Sequence, residues 1–252
     1  GSTLAGGYFG TMDPKHLQEL IDLEEGYWWH VAKRRLVVDL VRRHFPPPGL
    51  LVEGGFGSGR NLLEFQCLGY DVAGLDSMPE SVAHARSQGL SEVYVHDLCD
   101  PWPIQPGSAR VALLLDVLEH IADPVAALRH ASSAIADGGG MVLSVPAYPS
   151  LFSDWDRHLG HFRRYTQDEL RRQIQAANLR ILWQGRWNAF SLPAAWISRR
   201  FGRSNASTNG ATFPRLPGVV NRLLIGCAAL ERRVVRWPGL PVGLSLVAVI
   251  GK

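Results

Sequence analysis

Val52-Glu53-Gly54-Gly55-Phe56-Gly57-Ser58-Gly59-Arg60-Asn61 decides the reading of this chain. A short apolar strand, Leu50–Glu53, ends in an acid; a glycine-rich turn follows; and Arg60–Leu68 reads as a helix that stops at Gly69. Glycines accept positive φ and let a ligand approach the backbone without a Cβ collision. The helix start beyond them offers free N–H groups to negative or electron-rich atoms. Spacing excludes two common nucleotide loops. A dinucleotide fingerprint, G-x-G-x-x-G, has its third glycine replaced by Arg60 when counted from Gly55 and Gly57, and by Leu62 when counted from Gly57 and Gly59. A phosphate loop ends in Gly-Lys-Ser/Thr, whereas Gly59 precedes Arg60-Asn61. What fits is acid-x-Gly-x-Gly-x-Gly, at Glu53, Gly55, Gly57 and Gly59.

Outward from this turn the pattern alternates. Asp71–Leu75 reads as a strand, residues 79–87 as a helix, and residues 92–96 as a strand. Val111–Leu115 is a continuous apolar run, expected of a central strand covered on both faces. Asp123-Pro124 supplies an N-cap and a first-turn proline for a helix expected to end near Asp137-Gly138-Gly139-Gly140, and Met141–Val145 is the fifth strand. Strands alternating with helices predict a doubly wound, mostly parallel α/β sheet. Leu179–Trp187 and Leu244–Ile250 extend it to seven strands. Upstream, Asp13-Pro14 opens one helix and Trp29–Phe45 forms a second that stops at Pro46-Pro47-Pro48. Thr166-Gln167-Asp168-Glu169 is a capping box for a helix to about Ala177. Residues 188–202 and 216–236 read as amphipathic helices around a loop, Ser204-Asn205-Ala206-Ser207-Thr208-Asn209-Gly210. The expected organisation is an N-terminal helical segment (1–46) and a main domain (47–252), the latter carrying a lid at 150–165 and a helical insertion at 188–240.

Composition is that of a folded protein: 252 residues, 46% hydrophobic and 19% charged. No apolar run is long enough to span a membrane, and the start lacks the basic and apolar regions of a signal peptide. Gly1-Ser2 reads as a cloning remnant. Three scattered cysteines, Cys67, Cys99 and Cys227, support neither a disulfide framework nor a zinc site, so the cytoplasm is the expected compartment. The net charge of +3 conceals an asymmetry. Residues 1–156 carry ten Lys and Arg against twenty Asp and Glu, while residues 157–236 carry fifteen Arg against Asp168, Glu169 and Glu231. That basic third either pairs with the acidic part or attracts an anionic partner.

The glycine pattern resembles motif I of the class I S-adenosylmethionine-dependent methyltransferases, with Glu53 in place of the usual Asp and Phe56 in place of the usual Cys. The segment Asp116-Val117-Leu118-Glu119-His120-Ile121-Ala122-Asp123-Pro124 resembles that family's fourth-strand signature, and the likeness runs over about residues 50–165. It implies a Rossmann-like methyltransferase fold and S-adenosylmethionine as cofactor. On that resemblance Glu53, Gly55, Phe56, Gly57 and Gly59 hold its methionine end. Asp76 accepts the ribose hydroxyls, Ser77 and Met78 lie by the adenine, Asp97 and Leu98 by its amine, and Asp116 completes the wall.

The acceptor is less legible. An Asn/Asp-Pro-Pro-aromatic motif after the fourth strand would mark methylation of a base amine, and Asp116-Val117-Leu118-Glu119 stands there instead. A small or lipid- or sugar-linked acceptor, methylated at oxygen, is expected; RNA methylation through the Arg-rich third and a non-catalytic cofactor-binding protein are the alternatives. His158 and His161, three apart in Asp154-Trp155-Asp156-Arg157-His158-Leu159-Gly160-His161, would share a face if helical, and are the candidate bases together with His120. With Asp154 or Asp156 the pair could instead bind a metal, but no metal is assigned. Trp28, Trp29 and Arg34, with Tyr148, Arg163 and Arg164, are the candidate acceptor contacts. Trp187, Phe190, Leu192, Trp196, Ile197 and Phe201 beside Arg199, Arg200 and Arg203 keep contact with a membrane surface as a further expectation.

Overall fold

The computed structural model describes residues 14–194, 215–235 and 240–252. Helices α1 (Pro14–Glu24) and α2 (Trp28–His44) precede β1 (Leu50–Gly54), α3 (Arg60–Cys67), β2 (Asp71–Asp76), α4 (Pro79–Ser87), β3 (Val93–Val95) and β4 (Ala109–Leu115). A 3-10 turn at Leu118–His120 leads to α5 (Pro124–Ala134), β5 (Ile135–Pro146), α6 (Asp154–His158), α7 (Gln167–Ala176), β6 (Arg180–Trp187), α8 (Gly218–Val235) and β7 (Ser245–Gly251). The described strands form one sheet in the order β3-β2-β1-β4-β5-β7-β6, parallel except for β7, which runs antiparallel to both neighbours. The chain reverses its direction of travel across the sheet between β1 and β4, where open α/β sheets bind ligands.

Strand periodicity builds two cores. Leu51, Val111, Leu113, Val142 and Val249 point to the face covered by α2, α3 and α4. Val52, Ala112, Leu114, Leu143 and Ala248 point to the face covered by α5 and α7. Successive residues of a strand face opposite ways, so strands buried on both sides must be apolar throughout. Helix α2 contributes Leu36, Val37, Leu40 and Val41 to the first core, which makes it part of the sheet's covering layer.

Two local expectations change. The helix after Asp123 ends at Ala134, and Ile135 already pairs with Ala109 of β4, so the glycines lie inside β5. They take up a register jump from Ala109↔Ile135 to Val111↔Gly140, and a Cβ on Gly140 would collide with the Phe45 ring and the Ile250 carbonyl. His158 and His161 do not share a helical face, because α6 stops at His158 and Gly160 turns the chain with φ 75°. The caps at Asp123 and Thr166 are present, each side chain accepting from the first-turn N–H groups. Residues 195–202 of the expected 188–202 helix, including Trp196, Ile197, Arg199, Arg200 and Phe201, lie outside the described residues, as do Arg203, the loop at 204–210 and the N-cap at Asp13.

Candidate active site

The carboxyl ends of β1, β2 and β4 open into a cleft of about 670 Å3. One wall is the glycine turn. Gly55 and Gly57 take φ of 71° and 58°, and added Cβ atoms would meet Val117 and Leu20 respectively, so both positions call for glycine. Asp76 pins this turn: its Oδ2 accepts from the Gly57 N–H at 2.9 Å and its Oδ1 from the Met78 N–H at 2.9 Å. Each oxygen retains a lone pair for a further donor. Glu53 accepts from Asn61 Nδ2 at 2.7 Å through Oε1, while its buried Oε2 has no partner. Burial pushes the Glu53 carboxyl up to about 8; Asn61 and Lys33 oppose the rise, while Glu24 and Asp76 add to it.

Helices α1 and α2 pack over the turn and close the cleft. Glu24 accepts from the Ser58 hydroxyl, and burial raises its carboxyl to about 7 despite Arg34, Lys33 and Arg60 nearby. Lys33 reaches across to Asp116 Oδ2 at 2.7 Å and lies over the Trp29 ring, 4.9 Å from its centroid. Asp116, at φ 56°, also accepts from Ser144 Oγ at 2.8 Å. Burial opposes its ionisation, but the Lys33 ammonium and the Ser144 hydroxyl hold its carboxyl below the usual range.

A third group gathers where the 154–165 segment folds over the 3-10 turn. The Phe162 N–H donates to the Glu119 carbonyl at 2.8 Å, and the Tyr165 hydroxyl donates to the Leu118 carbonyl at 3.1 Å. These bonds bring His161 against His120, ring centroids 4.6 Å apart and edge to face. Asp156, fully buried, sits 3.1 Å from His161 Nδ1 and accepts from Arg164 Nε at 2.7 Å and from Ser153. Burial works against that charge, yet His161 and Arg164 hold the Asp156 carboxyl well below the usual range. Burial lowers His120 to about 4, with His161 adding to the effect, so its imidazole is neutral. Glu119 is fully buried, and no other described residue donates a hydrogen bond to its carboxylate oxygens.

A family model described as a methyltransferase domain matches residues 28–184, more than half of the chain. The chain belongs to the class I S-adenosylmethionine-dependent methyltransferases. Its cofactor is S-adenosylmethionine, which suits a cleft with an unpartnered buried carboxylate oxygen and a turn whose glycines a Cβ would obstruct. Among its relatives is a ubiquinone biosynthesis O-methyltransferase of Xanthomonas campestris, 32% identical over 131 residues that cover 46% of this chain and 55% of the relative. The matched region thus spans about half of that protein's length. Similar folds include an S-adenosylmethionine-dependent methyltransferase from Archaeoglobus fulgidus (14% identity, TM-score 0.60, 95% and 100% of the two chains). Another is a Haloferax volcanii methyltransferase solved with the Trm112 methyltransferase activator (22%, TM-score 0.59, 94% and 92%).

In this methyltransferase the cleft gathers Glu53, Gly55, Phe56, Gly57, Asp76, Ser77, Met78, Leu98 and Asp116, with Trp29, Arg34, His120, His158, His161 and Arg164. Five other expected residues stand outside it. Gly59 packs against Leu90 and Ala85. Asp97 accepts from the Cys99 N–H at 2.8 Å in a local turn. Trp28 packs on Phe190, centroids 5.3 Å apart. Tyr148 lies under the Arg186 guanidinium, and Arg163 donates to the Ala122 carbonyl at 3.0 Å. Arg34 lines the cleft but donates to the Glu24 carbonyl at 3.1 Å, tying α1 to α2. Exposed His158 also lines the cleft, and its Nδ1 lies 2.6 Å from the Asp154 carbonyl. Sequence reasoning assigned no role to Lys33, Glu24 or Glu119. Lys33 follows Trp29 by one helical turn, a spacing that puts both on one face of α2; Glu119 and Glu24 carry no comparable signal.

Proposed function

We propose that this methyltransferase transfers the methyl group to a hydroxyl of a small or lipid- or sugar-linked molecule. The observation that carries the reading is the group Glu119, His120 and His161 at one end of a cleft otherwise walled by Trp29, Leu115 and Trp155. A cleft of this size, largely apolar with a few convergent polar groups, suits a small ligand. Glu53 would take the cofactor's ammonium, Asp76 its ribose hydroxyls, and Phe56, Ser77, Met78 and Leu98 the adenine end. Bound there, the cofactor supplies an electrophilic methyl carbon. The protein's task is to hold the acceptor oxygen in line and relieve it of its proton, because an alcohol is a poor nucleophile until ionised. The polar group at the cleft end provides that environment, and the segment at 150–165 acts as the lid over it. The O-methyltransferase relative favours oxygen as the acceptor atom.

RNA is the weaker reading. Arg164 is engaged by Asp156, Arg232 by Asp39 at 3.0 Å, Arg157 by Asp154 at 2.6 Å, and Arg186 lies over Tyr148. These contacts draw part of the basic third inward. No described helix is long and apolar enough to cross a membrane.

Methyl-labelled cofactor offered with phenols, catechols, sugar alcohols and prenylated phenols tests the assignment. Label should pass to hydroxyl compounds and be lost when the hydroxyl is replaced by hydrogen. Transfer only to amines or to RNA would overturn it. Cofactor affinity should also depend on pH. Glu53, protonated below about 8 in the empty cleft, must ionise to meet an ammonium. Affinity therefore rises with pH, approaching about tenfold per unit below that value, until the ligand's own ammonium begins to lose its proton. Calorimetry between pH 6 and 8 measures the slope, which Glu53→Gln should flatten; an unchanged slope in that variant would remove Glu53 from the role.

A further inference from the structure

We propose that Glu119, His120 and His161 bind a divalent cation of the zinc class at the acceptor end of the cleft, leaving one coordination position for the acceptor oxygen. One ligand atom from each of the three residues lies within 4.8 Å of the other two. A tetrahedral zinc with bonds of about 2.1 Å needs donors about 3.4 Å apart, so shifts of order 1 Å close the set. Two histidines and one glutamate with an open fourth position is the composition of a catalytic rather than a structural zinc site.

Three features favour a cation. Glu119 is fully buried, yet no other described residue donates a hydrogen bond to either carboxylate oxygen. A buried carboxylate in that state is costly unless a proton or a cation meets it. The nearest candidates are already engaged, Lys33 by Asp116 and Arg164 by Asp156. Secondly, His161 is oriented as a metal-binding histidine is. Asp156 holds its Nδ1, which leaves Nε2 for a ligand, and the His120 ring stands edge to face with it, centroids 4.6 Å apart. Finally, Lys33 and Arg164 are balanced by Asp116 and Asp156, so the charge that Glu119 takes on when it ionises is left for a cation to meet. This set differs from the pairing of His158 and His161 with Asp154 or Asp156 that the sequence allowed.

The ion's role, though not its binding, rests on the hydroxyl-methylation reading above. An acceptor hydroxyl entering the open position would coordinate through oxygen. The cation lowers its pKa, the O–H bond breaks, the proton passes to water, and the electron pair stays on oxygen for the incoming methyl group.

Cobalt(II) and zinc(II) titrated into the chelator-stripped chain test the site directly. We expect one cobalt per chain with the intense visible absorption of a low-coordinate ion, displaced by zinc. Glu119→Gln and His161→Ala should each weaken binding about a hundredfold or more, while Asp154→Asn leaves it unchanged. Less than a tenth of an equivalent bound, or affinity insensitive to both ligand variants, overturns the proposal whether or not either variant folds poorly, because the unmodified chain is titrated first. Full methyl transfer in excess chelator overturns the ion's role in transfer while leaving the O-methylation reading intact. Stoichiometric, ligand-dependent binding with no transfer to any hydroxyl supports the site and overturns that reading instead.

Discussion

Replacing Asp76 with alanine is expected to abolish useful cofactor binding while leaving the chain folded. The carboxylate closes β2, accepts from the Gly57 and Met78 N–H groups at 2.9 Å, and faces the cleft with lone pairs to spare. Hydrogen bonds to a charged acceptor contribute roughly 1.5–3 kcal/mol each. Losing two from a ribose would therefore weaken the cofactor by about a hundredfold to a thousandfold or more. Two effects on the fold offset one another: the turn loses two N–H partners, and a buried carboxylate that burial destabilises disappears. The melting temperature should fall by less than about 5 °C. Calorimetry with S-adenosylhomocysteine and a melting curve separate the two outcomes. Affinity within tenfold of the unmodified chain would remove Asp76 from the cofactor site.

Asp156→Ala should produce the largest loss of stability of any single change at the site. Its carboxylate is fully buried and receives Arg164 Nε at 2.7 Å, His161 at 3.1 Å, and the Ser153 N–H and hydroxyl at 2.9 and 3.0 Å. Arg164 is buried with it, and its only other partner in the described contacts is the Ala147 carbonyl at 3.1 Å. Removing one member of a buried pair strands the other, at a cost of about 3–5 kcal/mol. Denaturant unfolding reads that cost directly. The second consequence is catalytic: without Asp156, His161 loses the contact that orients its ring, and methyl transfer should fall even at temperatures where the variant is folded. Asp156→Asn distinguishes positioning from packing, since it preserves the volume but gives up the charge that Arg164 needs. A destabilisation below 1 kcal/mol for Asp156→Ala would show that Arg164 finds another partner.

Much of this was legible in the amino-acid order because the signals are local. Strands reveal themselves through apolar runs such as Val111–Leu115, helices through Asp123-Pro124 and Thr166-x-x-Glu169, and the cofactor turn through glycines whose spacing admits few ligands. The boundary at Ala134 was less accessible. Glycines usually end a helix, and here they instead absorb a register jump within β5, set by pairing with a strand formed earlier in the chain. The packing of Gly59, Asp97 and Trp28 was illegible for a related reason. A residue beside a binding motif has the right neighbours in sequence, but its side chain points where packing against Leu90, the Cys99 turn or Phe190 sends it.

The order of residues therefore determined the alternating strand–helix plan, the parallel sheet and the edge along which a ligand is held, since each follows from periodicity, turn chemistry and right-handed connections. Tertiary structure alone decided the composition of the polar end of the cleft. Lys33 meets Asp116 across 83 residues, and His161 meets His120 because the Phe162 N–H and the Tyr165 hydroxyl dock a later segment onto the 3-10 turn. No spacing rule covers such pairs: their separation along the chain is arbitrary, and only the burial of polar groups that must find partners brings them together.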